Sequence, residues 1–428
     1  MYRSLSHCFF LIRHRSRTAK NFLVVISLLM TGCIGSARVY SPEEAVKKTV
    51  ERIDRAIREW QEAKTFQRVE FPSKPTKDPQ RVAFWYYTHP LIAPALTIPE
   101  RKQKFETQHP DVHLDAQFIG EWFYAIQKLT VSLAADDLPD VALVKQEWLG
   151  ALVESGRVAP LDMVLDENLL KDIPESVRTA YSVQGMMYAL PADGFCSVLY
   201  CNREILKDLD PPKTWEELRR IADQLRRARP EKDFHPIGYL PFMEMFWSAG
   251  GEISFEKTSG CLDEEHALDT LQFLLALRTE ELMYPRPVSD ESAGLELFAR
   301  GRVAMTAASS RFLPQCKTLP FEISLAPLPG KNGPISRLSD NVLIVFSDYA
   351  ESKKRTIASL LEFLTGPDVQ GASSLELGAV PIRSTMRKEL NIQSGLLEAF
   401  TVARSAPLVR PWGMVEDELR RMATLVGL

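Results

Sequence analysis

The chain has 428 residues, which exceeds one ordinary domain and fits two comfortably. Hydrophobic residues make up 45% and charged residues 25%, and the mean hydropathy is −0.14, so a multi-span membrane protein and a disordered chain are excluded. The net charge is −4, and the first 20 residues carry basic side chains without an acidic one. The remainder is therefore more acidic still, which excludes a sequence-independent nucleic-acid-binding protein.

The N-terminus has the pattern of an export signal. A basic stretch ends at Lys20, and the apolar run 22–30 is about half as long as a membrane-spanning helix. Residues 29–33, LMTGC, resemble a lipobox, so we expect residues 1–32 to be removed and Cys33 to be acylated. Plain secretion, or an uncleaved anchor in which Cys33 has no role, is the alternative. The protein is thus expected to be exported and anchored to a membrane, in the periplasm or on the outer face of a single membrane.

Four cysteines remain beyond the signal and the lipobox: Cys196, Cys201, Cys261 and Cys316. An exported protein lies where disulfides persist, and four cysteines allow three pairings. Buried free thiols are the alternative.

Residues 33–80 form a segment of their own. Residues 41–44, SPEE, are a capping box that starts a helix. Its apolar residues fall on one stripe, made of Val46, Val50, Ile53, Ile57 and Trp60. This stripe must cover the body of the protein, a second copy or a partner. A proline-rich linker follows at 71–79.

From residue 81 onward, strand and helix patterns alternate. The predicted strands are 82–87, 112–118, 138–144, 195–200, 303–307 and 341–346. The predicted helices are 98–108, 122–135, one starting at the capping box TWEE (214–217), 264–279, 352–364 and one starting near 412. This order predicts an α/β fold with mixed, mostly parallel sheets flanked by helices.

No motif of catalysis or metal binding stands out, so we predict no catalytic site, no metal and no cofactor. The sequence lacks a phosphate-binding P-loop and a G-x-S-x-G nucleophile elbow. His109 and His113 are four residues apart, but Pro110 between them denies a shared helical face for zinc.

Tryptophans are the more suggestive residues, because an aromatic face can stack on the C–H face of a sugar. The globular part contains Trp85, Trp122, Trp148, Trp215, Trp247 and Trp412. Core packing is the alternative for each, and it is the prediction for Trp215, which lies on the apolar face of its helix.

Several segments in order resemble the extracellular solute-binding proteins of carbohydrate ABC importers, the maltose-binding-protein-like group. They are 105–112 (FETQHPDV), 138–141 (LPDV), 187–191 (MYALP) with 199–204 (LYCNRE), 212–218 (PKTWEEL), 301–305 (GRVAM) and 378–383 (GAVPIR). Together they span about residues 81–428.

The resemblance implies a two-lobed, type II periplasmic-binding-protein-like fold with a hinge and a ligand cleft between the lobes. The chain would cross between lobes near Phe195, Leu319 and Gly378. Lobe one would then hold residues 81–195 and 320–378, and lobe two 196–319 and 379–428.

The resemblance also implies ligand contacts. Glu147 matches an acidic position after the third strand that accepts sugar hydroxyls, and Trp247 and Trp412 match stacking positions. Trp85 ends the first strand, and Asp193 lies beside the first crossing. Arg311 stands where the family often has Gly-Ser-Trp, and either binds an acidic ligand group or forms a surface ion pair.

The function implied is capture of a sugar or oligosaccharide and its delivery to the permease subunits of an ABC importer, by a monomer held to the membrane by its lipid. Two alternatives stay open. One is a non-sugar solute such as a phosphate ester or polyol, with Arg311 and Arg383 as anion partners. The other is a surface sensor or enzyme on the same scaffold.

Overall fold

The computed structural model describes residues 39–63, 78–87, 99–192, 194–285, 290–338, 341–348, 351–371, 374, 377–390 and 392–428. The predicted signal peptide, Cys33, Asp193 and most of the proline-rich linker lie outside these ranges. The described residues from Pro42 onward belong to one compact unit. None of the helices in these ranges combines the length and the apolar character that crossing a membrane requires.

The strands of the described residues are β1 Arg81–Tyr86, β2 His113–Phe118, β3 Val141–Lys145, β4 Ser182–Val183, β5 Met186–Met187, β6 Leu190–Pro191, β7 Ser197–Asn202, β8 His235–Ile237, β9 Val303–Ser309, β10 Ile323–Ala326, β11 Ser336–Arg337, β12 Asn341–Val345 and β13 Ala403–Arg404. They form a five-stranded sheet in the order β2-β1-β3-β12-β6 and a four-stranded sheet in the order β10-β7-β9-β8. Two small ribbons, β11-β13 and β4-β5, lie beside them.

The α-helices of the same residues are α1 Pro42–Ala63, α2 Pro99–Gln108, α3 Trp122–Ala135, α4 Gln146–Glu154, α5 Glu167–Asp172, α6 Glu175–Ala180, α7 Arg203–Leu206, α8 Trp215–Ala228, α9 Phe242–Ala249, α10 Glu264–Thr279, α11 Glu291–Ala299, α12 Leu313–Cys316, α13 Lys354–Leu364, α14 Ser384–Glu389, α15 Ser394–Thr401 and α16 Trp412–Leu425. Short 3₁₀ turns occupy Leu161–Met163 and Ser310–Phe312, and a π turn occupies Pro367–Gly371.

The five-stranded sheet is the centre of the first lobe. β1 pairs in parallel with β2 and with β3, so that Phe84 lies opposite both Ala116 and Val141. Helices α2 and α3 make the crossovers that parallel pairing requires. β3 is buried from Val141 to Val144 because both of its faces are covered, which explains its unbroken apolar run.

The four-stranded sheet is the centre of the second lobe. β7 is buried along its whole length between β9 and β10 and runs antiparallel to both, whereas β8 runs parallel to β9. The sequence predicted mostly parallel sheets. The five-stranded sheet instead has two parallel and two antiparallel pairs, and the four-stranded sheet has one parallel and two antiparallel pairs. The reason is that β7 and β12 are the first strands after the chain crosses between lobes, and each runs antiparallel to its two neighbours.

Sheet membership locates two of the crossings. β6 belongs to the first sheet and β7 to the second, so the chain passes from one sheet to the other between Pro191 and Ser197. The second crossing comes later than the predicted position near Leu319. β10 still pairs with β7, with Leu325 opposite Tyr200, and the chain re-enters the first sheet only at β12. Residues 320–326 therefore pack with lobe two.

Helix α1 packs on the body of the protein, which resolves the alternatives left open by its apolar stripe. Val46, Val50, Ile53 and Ile57 are buried against α10 and α16. The Asp54 carboxylate accepts the backbone N–H groups of residues 260 and 261, both at 2.9 Å. The helix is thus part of the folded unit.

The structure also answers two questions about the core, namely the role of Trp215 and the state of the four cysteines. Trp215 is buried and its ring stacks on Phe273 at 4.2 Å between centroids, so its predicted core role is confirmed. The four cysteines Cys196, Cys201, Cys261 and Cys316 are free and buried. The thiols therefore contribute as small apolar side chains, and the disulfide alternative is wrong.

Candidate functional site

A cavity of about 490 Å³ lies between the two sheets. Lobe one contributes Lys145, Gln146 and Glu147, where β3 passes into α4, and Asn341 at the start of β12. The carboxyl ends of parallel strands open toward such crevices in α/β folds. These side chains therefore reach the cavity because β3 ends at it.

Lobe two supplies the opposite wall. Its lining residues come from the start of α9, the start of α11 and the end of β9: Tyr239, Pro241, Phe242, Met243, Glu244, Asp290, Glu291, Ala307, Ala308, Ser309 and Arg311. Ser197 on β7, Arg337 and Leu338 at β11, and Ala406, Glu416, Leu419 and Arg420 at the C-terminal end complete it. A solute in this cavity would touch both lobes at once.

An ion pair between the half-buried Arg337 and the buried Glu416 lies at one side of the cavity. Arg337 donates two hydrogen bonds to Glu416, from Nη1 to Oε1 at 2.6 Å and from Nη2 to Oε2 at 2.9 Å. Arg420 Nη2 donates to the same Oε1 at 2.9 Å. Burial favours the protonated form of Glu416, but the charge and hydrogen bonds of Arg337 outweigh it and lower its pKa to about 2. Glu416 is therefore an anion committed to protein partners.

Among the described residues, negatively and positively charged side chains line the cavity in nearly equal numbers. The carboxylates are Glu147, Glu244, Asp290, Glu291 and Glu416, and the cations are Lys145, Arg311, Arg337 and Arg420. Tyr239, Ser197, Gln146, Ser309 and Asn341 add neutral hydrogen-bonding groups. Burial raises the pKa of Tyr239, so its hydroxyl stays neutral. The cavity is built for a solute with many hydrogen-bonding groups.

The structure brings two of the predicted site residues together, since Glu147 and Arg311 face the same cavity from opposite lobes. Glu147 is exposed in the first turn of α4. Arg311 is half-buried, and its Nε donates to Ser309 Oγ at 3.0 Å. Whether they contact a ligand stays a prediction.

Trp247 and Trp412 do not belong to the described lining. They are 5% and 1% exposed, and their rings stack with centroids 6.1 Å apart at an interplanar angle of 18°. The guanidinium of Arg404 lies over Trp247 at 5.0 Å. In this conformation, protein groups cover the ring faces that sugar stacking would require.

The remaining predicted residues lie apart from this cavity. Trp85 is 8% exposed, with Lys128 Nζ 4.4 Å from the centre of its ring. Asp193 is outside the described residues. Arg383, the second anion partner of the phosphate-ester alternative, donates from Nε to Asp172 Oδ2 at 2.8 Å, away from the cavity lining.

Comparison with known proteins identifies the family. Residues 90–371 match the model of the bacterial extracellular solute-binding proteins. The chain belongs to that family. Its members are extracellular, so the protein is exported, and its role is to bind a solute.

Individual relatives of this solute-binding protein carry names of sugar binders. The maltotriose-binding protein of Pyrococcus abyssi is 24% identical over 312 residues, covering 68% of this chain and 67% of that one. The diacetylchitobiose binding protein DasA of Streptomyces coelicolor is 22% identical over 324 residues, covering 70% and 74%. These relatives are binding proteins by name.

A solved structure shows the same fold. The cyclic alpha-maltosyl-1,6-maltose binding protein of Arthrobacter globiformis aligns with a TM-score of 0.64 over 81% of this chain and 98% of that one, at 18% identity. The predicted two-lobed α/β fold is thereby confirmed.

Sequence reasoning missed three charged residues of this solute-binding protein's cavity, which are Glu244, Arg337 and Glu416. One signal was available for Glu244, because it is the lone charge in the apolar helix FMEMFWSA. The pairing of Arg337 with Glu416 joins residues 79 positions apart, and neither has a local motif.

Proposed function

We propose that this solute-binding protein captures a sugar or oligosaccharide in the cavity between its lobes and delivers it to the permease subunits of an ABC importer. The observation that carries the proposal is that both lobes line one polar cavity. A solute that hydrogen-bonds to both walls favours the closed arrangement of the lobes, and the permease then distinguishes the loaded protein from the empty one.

The lining supports a neutral polyhydroxylated solute. Carboxylates accept hydrogen bonds from sugar hydroxyls, and guanidinium groups donate to them. The volume of about 490 Å³ lies in the range of small-molecule sites. The relatives named for maltotriose and diacetylchitobiose agree with this ligand class.

In this proposal Glu147 and Arg311 contact the solute directly, one from each lobe. Trp247 and Trp412 contact it only in an arrangement of the lobes that uncovers a ring face. Trp85 and Asp193 are proposed as further contacts of lobe one.

The phosphate-ester alternative has two observations in its favour. Arg311 lines the cavity, and a relative from Yersinia pestis, 23% identical over 324 residues, is named sn-glycerol-3-phosphate-binding periplasmic protein UgpB. The charges of the cavity lining argue against a phosphate ester. Arg337 and Arg420 already hold Glu416, and other carboxylates in the described lining would repel a phosphate.

Thermal unfolding against a panel of sugars, polyols and phosphate esters tests the proposal. The protein should lack the signal but keep α1, because α1 packs on the body. Solute at 100 times its Kd should add roughly 2.7 kcal/mol to the free energy of unfolding. A raised midpoint with sugars alone is expected. Shifts with phosphate esters alone would favour the alternative, and recovery of a chemically altered solute would favour an enzyme.

Membrane attachment is a second part of the proposal. Residues 1–32 would be cleaved and Cys33 acylated, leaving a monomer tethered outside the cytoplasmic membrane. Cys33→Ser should move the protein from the membrane fraction to the soluble fraction and abolish incorporation of labelled fatty acid. Membrane retention of Cys33→Ser would instead indicate an uncleaved anchor.

A further inference from the structure

Glu244 is a buried carboxyl group that neither the motifs nor the family resemblance accounts for. It lies in the first turn of α9, a helix whose residues are all buried, and it is itself 5% exposed. Glu244 is one of the residues that line the cavity between the lobes. A carboxyl taken out of water costs several kcal/mol unless hydrogen bonds or charges compensate.

The protein supplies Glu244 with little compensation. No hydrogen bond from another side chain of the described residues reaches its carboxyl group. Arg337, whose charge favours the ionised form, is already held by two hydrogen bonds to Glu416. The N-terminal turn of α9 favours an anion, as does the backbone hydrogen bond at Glu244. A solute in the cavity could therefore donate hydrogen bonds to the carboxyl group of Glu244.

The charged groups around Glu244 come from several elements. The other charged residues of the cavity lining are Arg337 on β11, Glu416 and Arg420 on α16, Glu291 on α11 with Asp290 just before it, Glu147 on α4, Lys145 at the end of β3 and Arg311 after β9. Tyr239 precedes α9. Helix α10 packs against α9 but adds no residue to the described lining. Burial raises the pKa of Glu244 to about 7, with Arg337 opposing the shift and Glu416 and Glu291 adding to it.

We propose that the Glu244 carboxylate is a specificity-determining acceptor for hydroxyl groups of the solute, and that solute binding draws Glu244 into its ionised form. The inference rests on the proposed function, since it requires a hydroxyl-bearing solute in this cavity. Hydroxyl donors stabilise the carboxylate over the carboxylic acid, so binding below neutral pH releases a proton. The same negative charge disfavours phosphate esters.

The pH dependence follows from the population of the ionised form. With a pKa of about 7 in the empty protein, about a tenth of the molecules are ionised one pH unit lower. The apparent affinity falls in proportion to that fraction, so Kd at about pH 6 should be about tenfold weaker than at about pH 8. Above about pH 8 the affinity should level off.

Titration calorimetry with maltose, maltotriose and diacetylchitobiose tests this inference on the mature chain, at about pH 6, 7 and 8. Buffers of different ionisation enthalpy count the protons released. We expect proton release and the tenfold gain in the wild type, and neither in Glu244→Gln. Glu147→Gln is the matched control, because it removes an exposed carboxylate from the same cavity. It should weaken binding while keeping the pH dependence and the proton release.

The outcomes separate the two proposals. If the wild type binds a sugar and Glu244→Gln binds it with the same Kd and the same pH dependence, the role of Glu244 is overturned and sugar capture stands. If the wild type binds none of the sugars, both proposals are overturned. A gain of sn-glycerol 3-phosphate binding in Glu244→Gln would support the exclusion of anions. The unfolding midpoint of each variant shows that it is folded.

Discussion

The cavity and a cluster of aromatic side chains beside it both contact Arg337, which lines the cavity and lies 5.9 Å from the centre of the Trp247 ring. The two regions differ in the chemistry of their side chains. The cluster consists of Trp247, Trp412, Phe255 and Trp60, in which Trp247 stacks on Trp412 and Phe255 lies 6.3 Å from Trp412. The cavity is lined by paired and buried charges. The comparison teaches that large aromatic residues hold α1, α9 and α16 together, while polar side chains of α9 and α16 line the cavity.

The largest effect should come from removing the centre of the aromatic cluster. Trp412→Ala deletes a side chain that is 1% exposed, so the free energy of unfolding should fall by about 3–5 kcal/mol. Denaturant unfolding measures this loss. Met414→Ala is the control, because Met414 lies in the same turn but is 53% exposed, and it should change stability by less than about 0.5 kcal/mol. A loss below about 1 kcal/mol for Trp412→Ala would reveal a ring free for ligand stacking.

The next effect concerns the ion pair on the cavity side. Glu416→Gln leaves the half-buried guanidinium of Arg337 without its carboxylate, so we expect the free energy of unfolding to fall by about 3 kcal/mol at neutral pH. The pKa of Glu416 is about 2 in the folded protein against 4.5 in the unfolded chain. Its contribution is therefore complete above about pH 5 and is lost as the pH falls toward 2.

Urea unfolding of wild type and Glu416→Gln at a series of pH values checks this prediction. The difference in unfolding free energy should shrink steadily below about pH 4.5. A difference that is independent of pH would mean that the carboxylate charge is not what stabilises this side of the cavity.

A smaller effect is expected at Arg311, where a substitution should change the affinity for the sugar. Arg311→Met removes a donor from the cavity wall, so sugar affinity should fall about tenfold, or about 1.4 kcal/mol. Arg300→Met, an exposed residue of the same lobe that does not line the cavity, should bind like the wild type. Calorimetry with maltotriose gives both values. Tighter sugar binding by Arg311→Met would show that Arg311 serves an acidic solute instead.

The difference between the aromatic cluster and the cavity also explains which features of the fold and the site could be predicted from the sequence. Residue patterns predicted α3 and α10 at their observed bounds, and capping boxes predicted the starts of α1 and α8, because those signals are local. The second crossing was misplaced because the sequence analysis predicted no strand between 307 and 341, whereas β10 lies there and pairs with β7. Whether Trp247 packs in the core or faces a ligand depends on Trp412 and Arg404, which lie more than 150 positions away. No local pattern carries that information.

The smallest effect lies at the outer end of the aromatic cluster, where α1 reaches lobe one. Trp60 Nε1 donates to Glu154 Oε2 at 3.1 Å, and the other oxygen of Glu154 accepts the backbone N–H of residue 410. Trp60→Phe keeps an aromatic ring against Phe255 but loses this hydrogen bond, so it should cost about 1 kcal/mol.

A double-mutant cycle with Glu154→Gln isolates the contact, because Glu154→Gln keeps an acceptor for the backbone N–H of residue 410. Coupling of about 0.5–1 kcal/mol in urea unfolding is expected for a direct hydrogen bond. Additive losses would mean that α1 is held by its apolar stripe on α10 and α16 alone, and that its contact with α4 adds nothing to the tie between the lobes.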